Sequence, residues 1–168
     1  IKSSKSDISI LAISGCKSLE YLDSIFHNTN LLGIVNKECI VSAGHLFHKI
    51  NKKNKNKVYP LDSEHYSLKS LVNSRYHEEF KKVYITASGG PFLKNKSNEI
   101  KNISFNKAKK HPKWKMGYKN SIDSATLVNK CLELIEAHYL FNLPYDKLRI
   151  LIHPEALVHS IIEYNNYT

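Results

Sequence analysis

Three short stretches of this 168-residue chain hold side chains that could do chemistry together. Asp62-Ser63-Glu64 sets two carboxylates two residues apart, and in an extended segment both point to one side. Such a pair at a strand end suits a hard divalent cation or acid/base work, although Asp and Ser before a helix also serve as plain N-caps. Ser88-Gly89-Gly90 follows an apolar run; its glycines permit positive φ and an anion-binding nest of N–H groups, with a tight turn as the even alternative. Asn129, Lys130 and Glu133 place an amide, a base and an acid at three- and four-residue spacings, so on a helix they would converge on one face.

The elements that must carry these groups can be read from periodicity. Ser121 to Phe141 reads as one amphipathic helix. Leu127, Val128, Cys131, Leu132, Leu134, Ile135 and Tyr139 share one arc, and Thr126, Asn129, Lys130, Glu133 and Glu136 the other. Taken alone, the stretch favours a polar arc facing water, and Asn142 with Pro144 ends it. Upstream, a buried strand at Ile8–Ile13, a helix at Lys17–Phe26 and a strand at Leu31–Val35 form a βαβ unit of a parallel sheet. Asn36-Lys37-Glu38 sits at the carboxyl end of that second strand, before a helix at Cys39–Ile50, where open parallel sheets bind ligands. A simple helix cap is the alternative there. Pro60 puts the strand Lys57–Leu61 near an edge or bend, and a helix follows from Glu64 to about Asn73. Lys82–Ala87, Lys147–Ile152 and Leu157–Tyr164 read as further strands, and residues 94–110 are weakly patterned.

Composition bounds the function. A net charge of +10 suggests an anionic partner, although Asn51–Lys57, NKKNKNK, concentrates much of the excess in one basic loop. Cys16, Cys39 and Cys131 are odd in number and lack a C-x-x-C spacing, and two of them sit in apolar surroundings, so buried free thiols in a reducing compartment are expected. No apolar run approaches the roughly 18 residues of a membrane span, and no signal peptide or Gly-rich dinucleotide fingerprint is visible. The start at Ile1, the single methionine at Met116 and the uncapped end at Thr168 suggest a piece of a longer protein.

Six motifs in order resemble the 1-deoxy-D-xylulose 5-phosphate reductoisomerase family. They are NKECIVSAG at Asn36, PLDSEH at Pro60, ASGGPF at Ala87, HPKWKMG at His111, DSATLVNKCLELIEAH at Asp123 and IHPEALVHS at Ile152. The resemblance implies an α/β fold: the end of a Rossmann-like NADPH-binding domain over residues 1–60, then a mixed-sheet catalytic domain over 61–168. It implies that Asp62, Glu64 and Glu133 are metal ligands, and their all-carboxylate character suits Mg²⁺ or Mn²⁺. Lys37, Glu64, His111 and Glu133 form the implied catalytic set, and Ser63, Ser88, Ser124, Asn129 and Lys130 join them in holding a sugar phosphate. Asn36, Glu38 and Gly117 match contacts to NADPH, while Trp114 and Met116 match a closing flap. His159 falls on a histidine of the family's active-site region, with a packed strand histidine as the stronger default.

The implied activity is NADPH- and metal-dependent rearrangement and reduction of 1-deoxy-D-xylulose 5-phosphate to 2-C-methyl-D-erythritol 4-phosphate. A homodimer in bacterial cytoplasm or plastid stroma goes with it, without nucleic-acid or membrane partners. Tyr66, Leu68, Tyr118 and Asn120 depart from the family pattern without removing an implied ligand. The family's phosphate-gripping glycine motif and its helical domain would lie beyond the two ends, so the piece alone is expected to be inactive. Two other readings stand beside this one. A nucleic-acid-binding module could use NKKNKNK and the Lys/Trp loop, and a truncated, non-catalytic reductoisomerase could keep only the half-site.

Overall fold

A computed structural model describes residues 4–53, 57–72, 79–101, 103–108 and 118–166. His111, Trp114, Met116 and Gly117 lie outside the described residues, as does the middle of the basic loop.

The first unit is a parallel sheet ordered β1-β2-β3, from Ser6–Leu11, Thr29–Ile34 and Val58–Pro60. Helix α1, Leu19–Asn28, connects the first two strands, and α2, Lys37–Lys53, leaves the carboxyl end of β2. The central strand is the most buried, with Leu32, Gly33 and Ile34 all enclosed. Leu22, Ile25 and Phe26 recur at helical spacing along α1 and bury one face of it. Ile40 and Phe47 do the same along α2, and the Phe26 and Phe47 rings meet edge to face at 5.5 Å. Pro60 ends an edge strand, where its missing N–H costs nothing. The expectation of a buried first strand is corrected: β1 starts earlier, and Ile8 and Ile10 are 64% and 67% exposed. A short apolar run fixes the strand but not whether anything covers it.

The second unit is a mixed sheet ordered β5-β4-β6, from Leu148–Ile152, Phe80–Ala87 and Ser160–Tyr164. The central β4 pairs in parallel with β5 and antiparallel with β6. Helix α3, Ser63–Leu71, and α7, Val128–Phe141, pack here through Leu68 and Ala137 with Phe80, Val83, Ile85 and Leu143. Two short helices, α4 at Ser97–Ile100 and α5 at Phe105–Ala108, occupy the weakly patterned stretch.

The expected single helix over Ser121–Phe141 is two. Helix α6, Tyr118–Ala125, stops before Leu127, whose φ of 61° is left-handed, and α7 starts anew at Val128. The far end obeys the sequence: Asn142 is left-handed, and His138 Nδ1 hydrogen-bonds the Leu143 carbonyl at 2.7 Å.

Helices α2 and α7 lock the units together. A Cβ on Gly44 would lie 2.0 Å from the Tyr139 ring, so only glycine lets that ring lie on the α2 backbone. Ala43 beside it departs from helical geometry. The close approach fixes the middle of α2 against the last turn of α7.

Candidate active site

Three strand ends deliver the chemistry. Lys37 follows β2, and Asp62 follows β3 once Leu61 N has donated to the Ile34 carbonyl at 2.9 Å. Ser88 follows β4, just after the His153 N–H closes on the Ala87 carbonyl at 2.7 Å. Helix α7 crosses the resulting opening, and the residues enclose a cavity of about 500 Å³. Its walls include all three expected metal ligands, Asp62, Glu64 and Glu133. Lys37, Ser63, Ser88, Ser124, Asn129, Lys130 and His159 line it too.

The polar arc of α7 turns inward, not to water, and Asn129, Lys130 and Glu133 line this cavity. Asn129, Lys130, Glu133 and Glu136 are buried, while Val128 and Cys131 of the apolar arc are exposed. Glu133, only 3% exposed, is the hub. Its Oε1 accepts from Lys37 Nζ at 3.0 Å and from Asn129 Nδ2 at 2.5 Å; its Oε2 accepts from Lys130 Nζ at 2.7 Å. Lys37 Nζ also donates to Asn129 Oδ1 at 2.9 Å. Burial by itself would lower the Lys37 pKa, but the Glu133 and Glu136 charges, with Asp62, outweigh it and raise it above the ordinary value.

Glu64 comes from the first turn of α3. Its Oε1 accepts from Lys130 Nζ at 2.7 Å and its Oε2 from Ser63 Oγ at 2.8 Å, with His159 Nδ1 3.9 Å away. Burial pushes its pKa up, yet the Lys130 charge and hydrogen bond win, and it lies below the usual value. Asp62 is both things the sequence allowed: it caps α3 by accepting the His65 N–H at 2.9 Å, and it lines the cavity. Its carboxylate also accepts from His65 Nδ1, at 2.8 Å to each oxygen. Burial works against its ionisation, but the His65 contacts hold its pKa below the ordinary value.

His65 and Glu136 are the residues whose part in the site the sequence did not disclose. The imidazole is fully buried; burial would lower its pKa, but Asp62, Glu136 and Glu133 raise it to about 9. Glu136 belongs to the arc that the sequence taken alone turns to water. It is 2% exposed, its Oε2 has no hydrogen-bond partner and lies 4.0 Å from His65 Nδ1, and burial raises its pKa to about 8. The one signal in the sequence was its place three residues after Glu133 on the same arc.

The other expected residues divide. Gly89 and Gly90 have φ of 90° and 72°, as an N–H nest requires, and a Cβ on Gly90 would lie 2.7 Å from the Ser124 carbonyl oxygen. The Asn36 side chain caps α2 by accepting the Cys39 N–H and donates to the Ile13 and Gly15 carbonyls. Glu38 lies in the first turn of α2, outside the cavity lining. Two buried thiols were expected; only Cys39 is buried, while Cys16 and Cys131 are exposed.

An α/β scaffold that gathers buried carboxylates and lysines at its strand ends defines a polar small-molecule site of enzyme type. Residues 58–141, half of the chain, match the family described as 1-deoxy-D-xylulose 5-phosphate reductoisomerase C-terminal domain, and the chain belongs to the reductoisomerase family. The curated 1-deoxy-D-xylulose 5-phosphate reductoisomerase of Clostridium kluyveri is 47% identical over 135 residues, covering 80% of this chain and 35% of that protein. That of Pelagibacter ubique is 46% identical over 162 residues, covering 96% and 42%. A crystal structure of DOX-P reductoisomerase with NADPH, fosmidomycin and magnesium superposes with a TM-score of 0.88 at 36% identity, over 99% of this chain and 43% of that one. The Zymomonas mobilis enzyme in complex with NADPH gives 0.86 at 36% identity, over 97% and 42%. The chain thus spans between about a third and two fifths of the length of these relatives. Nothing in this match favours the nucleic-acid module. Among the described residues no helix is long and apolar enough to cross a membrane.

Proposed function

We propose that the chain is the central part of an NADPH- and divalent-metal-dependent enzyme that rearranges and reduces 1-deoxy-D-xylulose 5-phosphate to 2-C-methyl-D-erythritol 4-phosphate. One observation carries this reading: Glu64 from α3 and Glu133 from α7 both lie 2.7 Å from one cationic atom, Lys130 Nζ, with Asp62 in the same cavity wall. The ammonium stands where carboxylates from separate elements converge on positive charge. Three carboxylates free of competing thiolates are a donor set for Mg²⁺ or Mn²⁺. Asp62, Glu64 and Glu133 would hold the ion, which supplies charge stabilisation to the carbonyl and hydroxyl oxygens of the substrate, while NADPH supplies the hydride.

The chain's own residues do the rest. The Ser88-Gly89-Gly90 turn offers positive-φ glycines and a hydroxyl to the phosphate, with Ser124 at the end of α6 close behind. Lys130, once released from its carboxylates, adds a cation to that anion site. Lys37 and Ser63 flank the reacting carbons from the ends of β2 and β3, and Asn129 orients Glu133. Burial of the Lys37, Glu133 and Asn129 network keeps water from the reacting groups. The family resemblance assigns a lid role to His111, Trp114 and Met116 and NADPH contacts to Asn36, Glu38 and Gly117, and His159 stays a packed histidine beside Glu64. The separate sheets and cores support a division into residues 1–60, the end of the nucleotide-binding domain, and 61–168, the catalytic domain. The assembly is a homodimer in bacterial cytoplasm or plastid stroma, and its bacterial relatives support the former.

The test is an NADPH-oxidation assay with 1-deoxy-D-xylulose 5-phosphate on the protein expressed from its complete reading frame. Glu133→Gln should abolish Mg²⁺- or Mn²⁺-dependent turnover. Retained turnover overturns the metal assignment, and a wild type without turnover identifies a non-catalytic relative.

A further inference from the structure

We propose that His65 is a positioning residue that clamps together the two elements bearing the cation-binding carboxylates; the inference rests on the metal-dependent reading above. The imidazole reaches in two directions. Nδ1 lies 2.8 Å from both oxygens of Asp62, at the start of α3. Nε2 lies 2.9 Å from the main-chain carbonyl of Glu133, 68 residues away in α7. The ring is fully buried and stacks on Phe141 at 6.2 Å, so it cannot turn without giving up both bonds.

An apolar side chain would fill this space without the desolvation cost of an imidazole. What an apolar side chain could not do is orient the Asp62 carboxylate and hold the Glu133 main chain at one distance from it. Both bonds are needed for that. With either one lost, α3 and α7 are free to shift, and Asp62, Glu64 and Glu133 lose the alignment from which they would close on one ion. Partners that orient metal ligands in this way typically change metal affinity about 10- to 100-fold.

Two substitutions separate the two bonds. An asparagine amide nitrogen falls near the Nδ1 position and a glutamine nitrogen near the Nε2 position, so each variant keeps one bond and loses the other. On the protein from the complete reading frame, Mn²⁺ binding is read from the paramagnetic resonance signal of the free ion. Thermal unfolding and the Mn²⁺ activation constant are measured beside it. In both His65→Asn and His65→Gln the Mn²⁺ dissociation constant should rise about 10-fold or more, with turnover largely recovered at saturating Mn²⁺. A lowered Tm with a dissociation constant within about twofold of wild type would make His65 a core residue only and overturn the proposal. Should neither variant fold, histidine-labelled wild type decides by NMR: saturating Mg²⁺ should shift both ring nitrogens of His65, and unmoved signals overturn the clamp. A wild type that binds no Mn²⁺ overturns the metal reading itself, and the clamp with it.

Discussion

Lys37 Nζ donates to Glu133 Oε1 at 3.0 Å across 96 residues of chain, joining the start of α2 to the middle of α7. Both side chains are largely buried, so neither can recover a water shell if the other is removed. Lys37→Met leaves Glu133 with Lys130 and Asn129, and should destabilise the fold by about 1–3 kcal/mol rather than the larger loss of a fully orphaned charge. A double-mutant cycle with Glu133→Gln, read by urea unfolding, should return a coupling of similar size. Additive effects would show that the contact is energetically idle.

Stability should fall as pH rises through neutrality in chelator-treated protein. The raised pKa of His65 contributes stability that is complete below 6.5 and lost as pH climbs toward about 9. Glu136 acts in the same direction: its raised pKa means that the unfolded chain loses this proton from 4.5 upward, while the folded chain keeps it to about 8. The lowered Asp62 and Glu64 contribute the opposite limb, lost on acidification below the ordinary carboxylate range. Glu136→Gln should flatten Tm against pH between 5 and 8, roughly the interval in which this acid differs between states.

Two glycines with the same φ of 72° should respond differently to alanine. At Gly15 nothing lies within 4 Å of an added Cβ, so Gly15→Ala carries only the backbone strain of φ 72° with ψ −171°, a region essentially confined to glycine, about 1–3 kcal/mol. At Gly90 the Cβ would also meet the Ser124 carbonyl oxygen at 2.7 Å, against backbone that cannot swing aside. Gly90→Ala should therefore cost more in thermal unfolding, and substrate KM should rise with it.

Divalent cation should stabilise the protein through the three carboxylates. Mg²⁺ at about 100 times its dissociation constant should add about 2.7 kcal/mol in thermal unfolding of the wild type. The gain should vanish in Glu133→Gln and should not be reproduced by NaCl of equal ionic strength. An equal shift in the variant would place the ion elsewhere.

Thiol titration should separate the three cysteines. Cys16 and Cys131 are exposed and should react at once, whereas buried Cys39, whose thiol burial pushes upward in pKa, should react only as the fold opens. Three fast thiols would contradict the packing of α2 on its sheet.

By itself the sequence determined what depends on neighbours along the chain. The strand–helix alternation, the Asp62 cap, the glycine turn after β4 and the stop at Asn142 follow from local backbone preferences and apolar spacing. The six motifs also determined the family. Only the tertiary structure decided which way the polar arc of α7 looks. Periodicity divides a helix into two faces but does not say which is inside, because a charged face can be buried once partners meet its charges. Those partners, Lys37, Glu64 and His65, stand 96 to 66 residues away and arrive only when the two sheets pack. The burial of Glu136 has the same origin: it faces His65, 71 residues away, in an interior that local preference would have denied an acid.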